Sequence, residues 1–232
     1  MINIISAGAC KGLIQALFAR RFKSGKAQAS FGAVGAMQEK LLAGEACELL
    51  VLTVPMLEKL AAEGWVDRAT IAPIGAVGTG IAIASSLASI PDVMSRETLK
   101  ANLLAASSIH FPDPARATAG IHFKNVLNEL GILNDVEAKC RHYPNGAAAM
   151  NMLAKNLPEH GDLQIGCTQV SEIMYTPGLT LVAELPEPFV LRTVYASALT
   201  TSGTESKRAH KMLEKLTGAA SLSLRQSSGF IV

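Results

Sequence analysis

Three short loops of small residues are the segments of this 232-residue chain that are best suited to hold an anion. They are Ser6-Ala7-Gly8-Ala9, Gly32-Ala33-Val34-Gly35 and Ala117-Thr118-Ala119-Gly120. Each loop leads from a predicted strand into a predicted helix, whose first-turn N–H groups lack partners inside the helix and carry partial positive charge. Small side chains let an anion approach these groups, so the loops predict an anion site without a dedicated lysine. Each loop taken alone is also compatible with an ordinary tight turn.

Four side chains near these loops or at other strand ends are candidates for chemistry or for ligand binding. His122 lies just inside the helix after the third loop, and it is the first candidate base because histidine titrates near neutral pH. Glu172 is the second candidate base, and Gln169 is a candidate ligand contact. Arg116 precedes the third loop, where its guanidinium could pair with a ligand carboxylate. The alternatives are a locally hydrogen-bonded histidine, a helix-start acid and a solvated arginine.

Other classes of site find no support in the sequence. No G-x-x-x-x-G-K-[ST] motif occurs, and Gly75, Gly78 and Gly80 run in the reverse order of the dinucleotide-binding pattern. No G-x-S-x-G motif marks a nucleophilic serine. The four cysteines form no C-x-x-C and have no zinc-ligand spacing, so we expect reduced thiols, no metal and no cofactor. A net charge of +2 without a basic run argues against nucleic acid as a partner.

A unit that recurs along the chain positions the loops: a short apolar strand, a loop and an amphipathic helix. The apolar face of the first helix has the spacing of three and four that predicts a helix, and it consists of Leu13, Ile14, Leu17, Phe18 and Phe22. Gly44 and Gly64 are the expected stops of the next two helices. Strands that alternate with helices predict a mostly parallel sheet. We therefore expect an α/β fold of two lobes around a ligand cleft, with residues 1–80 plus 193–232 as lobe 1 and residues 81–192 as the inserted lobe 2.

One uncharged stretch, Ala69–Pro91, is long enough to span a bilayer. Its prolines, glycines and serines would make a weak helix, so we predict a buried strand plus a loop and no membrane span. The chain starts directly on an apolar strand pattern, without the features of a signal peptide. We therefore expect a cytoplasmic protein, or a periplasmic one if a signal peptide has been removed.

Several motifs, taken in order, resemble the molybdate-binding protein family of type II periplasmic binding proteins. The segments that carry the resemblance are Ile4–Ala9, Phe31–Gly35, Leu41–Glu45, Leu57–Gly64 and Asp113–Phe123. The resemblance covers nearly the whole chain, to Ser228-Gly229-Phe230. Within that family, Gly166–Ile173 and Asp113–Phe123 look most like the branch that includes aconitate isomerase.

The resemblance implies two α/β lobes around a cleft that binds a small oxyanion or carboxylate through main-chain N–H groups and hydroxyls. It implies that the ligand contacts are Ser6, Gly8, Ala9, Gly32, Ala33, Val34, Thr118, Ala119 and Gly120. The chain departs from the pattern at Ala117-Thr118, where the branch usually has a Gly-Gly pair.

Two functions fit the resemblance. The first is a cofactor-independent isomerase of the aconitate isomerase type, which catalyses an allylic proton shift. The alternative is the solute receptor of an ABC importer for molybdate or an organic acid, with an ABC permease as its partner. The missing signal peptide favours the enzyme, whereas the missing catalytic set favours the receptor.

Overall fold

The computed structural model describes residues 2–21, 27–155 and 162–232. Its contacts divide the chain into two compact units. Unit 1 consists of Met1–Val77 and Thr193–Val232, and unit 2 consists of Gly78–Arg192. Unit 2 is therefore an insertion in the chain of unit 1, which contains both ends of the described chain.

Unit 1 is built on four paired strands in the order β2-β1-β3-β9, numbered along the chain. These strands are β1 Ile2–Ala7, β2 Ala27–Gly32, β3 Leu49–Thr53 and β9 Arg192–Leu199. β1 lies parallel to both β2 and β3, whereas β9 runs antiparallel to β3. All five residues of β3 are buried, which explains why its sequence is an almost continuous apolar run.

The helices of unit 1 follow the strand ends as the repeated sequence unit predicts. They are α1 Lys11–Arg21, α2 Val34–Leu42, α3 Val54–Ala62, α9 Lys207–Thr217 and α10 Leu222–Ser227. Gly44 and Gly64 follow α2 and α3 with φ of +84° and +80°, so both take the left-handed conformation that ends a helix. On α1, Leu13, Ile14 and Leu17 are buried as predicted, while Phe22 lies outside the described residues.

Unit 2 is built on a sheet in which the strand order is β6-β5-β7-β4-β8. Its strands are β4 Ala72–Ala84, β5 Ser108–Pro112, β6 Cys140–Tyr143, β7 Gln164–Gln169 and β8 Leu179–Glu184. β5 is parallel to β6 and β7, and β4 is antiparallel to β7 and β8. Its helices are α4 Arg96–Ala105, α5 Thr118–Glu129, α6 Leu133–Val136, α7 Gly146–Lys155 and α8 Val170–Met174.

Different helices cover the two faces of the unit 2 sheet. On one face, Phe111 and Cys167 pack in a large apolar cluster with Phe123 of α5. On the other face, Ala82 packs in a smaller cluster with Met150 of α7 and with α8. Because successive side chains of a strand point to opposite faces, the position of a residue along β7 decides which helix it meets.

The uncharged stretch 69–91 forms β4 and the loop after it. This confirms the predicted buried strand, since eight consecutive residues of β4 from Val77 onward are buried. Within residues 2–21, 27–155 and 162–232, none of the helices combines the length and the apolar composition of a membrane span.

Candidate anion-binding site

The first two predicted loops lie side by side at one edge of the unit 1 sheet. Ala7 and Gly32 are paired at the ends of the parallel strands β1 and β2. After Ala7 the chain forms a short 3-10 helix, Gly8–Cys10, that leads into α1. After Ala33 it enters α2 at Val34. The strand pairing therefore brings two predicted anion-binding loops together.

The candidate ligand contacts of these loops are nearly all main-chain groups. Gly8, Ala9, Gly32, Ala33 and Val34 are all buried. Their side chains offer no polar atom, so only their N–H and C=O groups can meet a ligand.

Ser6 is the exception, because it has a hydroxyl. That hydroxyl is buried and donates to the carbonyl oxygen of Ala7 at 3.0 Å. In this structure the Ser6 hydroxyl therefore stabilises the first predicted loop.

The third predicted loop lies in unit 2, where it joins β5 to α5. Asp113 shapes this loop with two hydrogen bonds. Its side chain accepts from the N–H of Ala115 at 2.7 Å, and its main-chain carbonyl accepts from the N–H of Ala117 at 3.1 Å. Thr118 and Ala119 form the first turn of α5. A Cβ at Gly120 would collide with the main-chain oxygens of Pro112 and Asp113, so Gly120 keeps α5 close to the end of β5.

The helix starts at these loops lack the side-chain caps found elsewhere in the chain. Ala7, Ala33 and Ala117 stand at the N-cap positions, and none makes a side-chain cap hydrogen bond. Alanine is among the poorest N-cap residues because it cannot accept from the first-turn N–H groups. No acidic residue stands in the first turn of α1, α2 or α5 either.

Three helices that begin elsewhere, α4, α7 and α9, are capped by polar side chains, whereas α3, α6, α8 and α10 start without a side-chain cap. Ser95 accepts from the N–H of Thr98 at 3.1 Å at the start of α4. Asn145 accepts from Ala148 at the start of α7 (2.9 Å), and Ser206 accepts from Ala209 at the start of α9 (3.3 Å). What sets the predicted loops apart is alanine at the N-cap position, since the other uncapped α-helices of the described chain begin after Thr53, Ile132, Gln169 and Ser221.

A group of buried polar side chains without hydrogen-bond partners lies at the end of β7. Gln169 is 3% exposed, and neither its amide nitrogen nor its amide oxygen has a partner among the described residues. Thr79 pairs with Gln169 across β4 and β7, and its buried hydroxyl is also unpartnered. The buried hydroxyl of Ser171 is a third such group. Each buried group without a partner costs about 1–3 kcal/mol, so such a grouping calls for a further partner.

Glu172 lies near this group but on the other side of the sheet. Its buried carboxylate accepts from the hydroxyl of Thr168 at 2.6 Å. A Cβ at Gly146, the first residue of α7, would overlap both the Glu172 carboxylate and the Thr168 hydroxyl. The carboxylate therefore lies against the start of α7, where the helix dipole stabilises negative charge.

His122, the first candidate base, takes part in a structural hydrogen bond. Its Nε2 lies 2.8 Å from the carbonyl oxygen of Phe189. A carbonyl oxygen only accepts, so Nε2 carries a proton and donates. Nδ1 is the remaining ring atom that could take a proton, and the role of His122 as a base stays a prediction. Arg116 is exposed directly before the N-cap residue of α5.

A second histidine, His110, is buried in β5 on the face covered by α7. Its Nε2 lies 2.9 Å from the hydroxyl of Ser108, and its Nδ1 lies 3.0 Å from the hydroxyl of Tyr143. Burial, together with the positive charge of Arg141, lowers the pKa of His110 from 6.5 to about 4. His110 is therefore neutral at pH 7, and each ring nitrogen has a hydroxyl partner.

The part of the chain that the structure describes contains no cluster of metal ligands, and three of its four thiols have a raised pKa. All four cysteines are free, as predicted. Burial raises the pKa of Cys47 to about 12 and that of Cys140 to about 11, and it raises that of Cys167 well above the ordinary value. No group of three or more His, Cys, Asp or Glu side chains within residues 2–21, 27–155 and 162–232 is arranged to hold a metal ion.

The sequence analysis missed three residues of the unit 2 arrangement: Thr79, Ser171 and Gly146. Thr79 had a signal, since it is the one polar side chain in the apolar strand β4. Ser171 and Gly146 had none, because hydroxyls and glycines are common where a strand turns into a helix.

The chain matches one protein family over nearly all of its residues. The family described as "Bacterial extracellular solute-binding protein" matches residues 2–231. An aconitate isomerase of a Pseudomonas species is 23% identical over 195 residues, which are 84% of this chain and 71% of that protein.

Solved structures of anion receptors have the same fold. The periplasmic molybdate-binding protein of Azotobacter vinelandii superposes with a TM-score of 0.79 at 16% identity, covering 100% of this chain and 99% of that chain. The sulfate-binding protein SubI of Mycobacterium tuberculosis H37Rv gives 0.69 at 16% identity, covering 99% and 85%. These matches confirm the expected resemblance and the α/β fold class, and the chain belongs to the family of bacterial extracellular solute-binding proteins.

Proposed function

We propose that this protein binds a small anion through main-chain N–H groups at the starts of its helices. The observation that carries the proposal is the choice of alanine at the N-cap positions Ala33 and Ala117, where no side chain caps the helix. Such a helix start keeps its partial positive charge and its N–H groups for an external acceptor. At the starts of α4, α7 and α9, by contrast, a polar side chain already accepts from a first-turn N–H group.

The unpartnered polar groups of unit 2 support the same proposal. Gln169 and Thr79 offer an amide and a hydroxyl at the end of β7, where open α/β sheets bind ligands. The molybdate-binding and sulfate-binding neighbours are named for ligands that are small oxyanions. As a solute receptor, this protein would deliver its ligand to an ABC permease.

The two candidate functions place the protein in different compartments, which an experiment can distinguish. A receptor for an importer works outside the cytoplasmic membrane, whereas the sequence analysis led us to expect the cytoplasm. Fractionation of cells that express the native gene, with detection of the protein in each fraction, distinguishes the two.

An isomerase of the aconitate isomerase type is the second candidate function. The curated relative of that name, 23% identical to this chain, favours it. The reaction moves the double bond of cis-aconitate by one carbon. A base removes a proton from the CH₂ carbon, the double bond shifts, and the proton is returned to the carbon at the other end of the allyl system. Uncapped helix starts suit this reaction, because they stabilise the negative charge that grows on the carboxylates.

Two measurements on the purified full chain test these functions. Isothermal titration calorimetry with molybdate, sulfate, cis-aconitate and a set of small organic acids shows whether an anion binds. Proton NMR of cis-aconitate in D₂O shows whether trans-aconitate forms and whether deuterium enters the product. Binding without conversion supports the receptor, and conversion supports the enzyme. If none of these anions binds, the proposal of anion binding is wrong.

A further inference from the structure

We infer that Gln169 and Thr79 form a subsite for a hydroxyl group, so the ligand is a hydroxy-carboxylic acid and not a bare oxyanion. This inference rests on the proposed anion-binding function and specifies its ligand. Its basis is the pair of unpartnered side chains at the paired positions of β4 and β7.

The two side chains are shielded from water as well as unpartnered. Thr79 is 1% exposed and Gln169 is 3% exposed. Neither the Thr79 hydroxyl nor either atom of the Gln169 amide has a hydrogen-bond partner among the described residues. A ligand group that meets them is shielded from water too, so any mismatch of donors and acceptors there is costly.

Strand alternation places this pair on the same face of the sheet as α5. Gln169 shares its face with Cys167, which packs in the apolar cluster that includes Phe123 of α5. β5 and β7 are parallel, so the chain leaves both strands at the same edge. The uncapped start of α5 after Ala117 therefore lies at the same edge and on the same face as the Gln169 amide.

The start of α7, at the same edge, already has a carboxylate of its own. The Glu172 carboxylate lies against Gly146 at the start of α7 and accepts from Thr168. Thr168 is the neighbour of Gln169 in β7 and points to the opposite face. α8 begins at the same edge, but it has five residues and carries Glu172 in its own first turn. The α5 start is therefore the place at this edge for a ligand carboxylate, and it lies on the same face of the sheet as the Gln169 amide.

The donor and acceptor pattern of the pair selects the ligand class. The Gln169 Oε1 atom only accepts, whereas its Nε2 atom only donates. Molybdate and sulfate at neutral pH present acceptors alone, so they offer no donor to Oε1. A hydroxyl group both donates and accepts, and the Thr79 hydroxyl can rotate to complete the set. A carboxylate that carries a hydroxyl nearby fits both the helix start and the amide.

Pairs of organic acids that differ by one hydroxyl test the inference. The probes are citrate against tricarballylate and malate against succinate, with molybdate and sulfate as acceptor-only ions. In calorimetric titrations of the full chain, we expect the hydroxy acid of at least one pair to bind about 10- to 100-fold more tightly than its partner, which corresponds to 1.4–2.8 kcal/mol. Molybdate and sulfate should bind more weakly than that hydroxy acid.

Two variants show whether the pair of side chains causes the preference. Gln169→Met keeps the length of the side chain without its polar atoms, and Thr79→Val keeps its shape without the hydroxyl. Each should reduce the preference within the pair to less than threefold, while the acid without the hydroxyl binds as in the wild type. Thermal unfolding of each variant shows that it is folded.

The outcomes separate this inference from the proposed function. Equal binding within both pairs, or tightest binding of molybdate or sulfate, overturns the hydroxyl subsite but leaves anion binding in place. No binding of any probe overturns both. A preference that survives in Gln169→Met and Thr79→Val also overturns the inference, because another group must then recognise the hydroxyl.

Discussion

The carboxylate of Glu172 occupies the space beside the start of α7 that a side chain at Gly146 would need. Thr168 completes this contact by donating to the same carboxylate at 2.6 Å. The contact joins the end of β7, α8 and the start of α7, and it places a buried acidic side chain at the positive end of a helix dipole. The segment that includes Gln169 is therefore held from the side of the sheet opposite to the proposed ligand.

Gly146→Ala tests this contact. We expect the free energy of unfolding to fall by about 1–3 kcal/mol, because the new methyl group overlaps the carboxylate and the hydroxyl. Urea unfolding followed by circular dichroism measures the change. In the double variant with Glu172→Ala, the loss should be smaller than the sum of the two single losses, because the overlapping carboxylate is gone. A Gly146→Ala protein as stable as the wild type would show that α7 starts elsewhere.

Ala33→Asp tests the role of the uncapped start of α2. The new carboxylate can accept from the first-turn N–H groups, so it replaces the ligand with a side-chain anion of the protein. We expect the affinity for the best-binding anion to fall at least tenfold in calorimetry. The free energy of unfolding should stay the same or rise by about 0.5–2 kcal/mol, as it does when a cap is added.

Ser95→Ala is the matched control at a capped helix. This change removes the cap of α4, so stability should fall by about 1 kcal/mol while affinity stays the same. Ala33→Ser adds a cap without a charge and should lower affinity less than Ala33→Asp. Unchanged affinity in a folded Ala33→Asp protein would contradict anion binding at α2.

The pH dependence of stability should carry a contribution from His110. Its folded-state pKa is lowered to about 4, whereas histidine in the unfolded chain titrates near 6.5. Between these values the unfolded chain binds more protons than the folded chain, so stability rises with pH. The contribution is complete above about pH 6.5 and is lost as the pH falls towards 4. Urea unfolding from pH 4 to pH 7 measures this slope.

His110→Asn gives the comparison for that slope. The variant is less stable at every pH because the ring bonds to Ser108 and Tyr143 are lost. Its stability should nevertheless change less between pH 6.5 and pH 4 than that of the wild type. If the free energies of unfolding of the two proteins change equally with pH, protonation of His110 does not destabilise the folded protein and the prediction is wrong.

Local sequence patterns were sufficient to predict the strand–loop–helix units and the three loops. The apolar spacing of Leu13, Ile14 and Leu17 predicted α1, and the alanines and glycines at the strand ends marked the helix starts. These features depend on residues within one turn of each other. The prediction of a mostly parallel sheet missed part of the pairing. β4, β8 and β9 form antiparallel pairs that join segments far apart in the chain.

The polar pair of the candidate site could not be predicted for the same reason. Thr79 and Gln169 are 90 positions apart, and only the register of β4 and β7 makes them neighbours. The lack of partners for their side chains is a property of the packed structure. The contact of Gly146 with Glu172 likewise depends on how α7 packs over β7.

Arg116→Ala tests the proposed cation next to the α5 start. Arg116 is exposed directly before the N-cap residue Ala117, so its charge can attract a carboxylate without being buried. We expect the dissociation constant of an organic acid to rise about three- to tenfold, with a larger effect at low salt. Lys124→Ala removes a charge of the same sign from an exposed position further along α5 and should leave binding unchanged. Equal effects of the two changes would indicate a general effect of net charge.

If the protein converts cis-aconitate, substitutions of His122 distinguish a structural role of this residue from a catalytic one. Its Nε2 donates to the carbonyl of Phe189, and its loss in His122→Ala should lower stability by about 1 kcal/mol. If Nδ1 is the base of the allylic shift, the rate followed by NMR should fall roughly 10²–10⁴-fold while substrate still binds. His122→Gln separates the two roles, because the glutamine amide can still donate to the carbonyl but cannot take a proton at neutral pH. If His122→Gln is as stable as the wild type but inactive, His122 is the base. If His122→Gln is both stable and active, His122 has a structural role alone.

In that second case Glu172 becomes the base to examine, with Glu172→Gln as the test, since its carboxylate is the other candidate in unit 2.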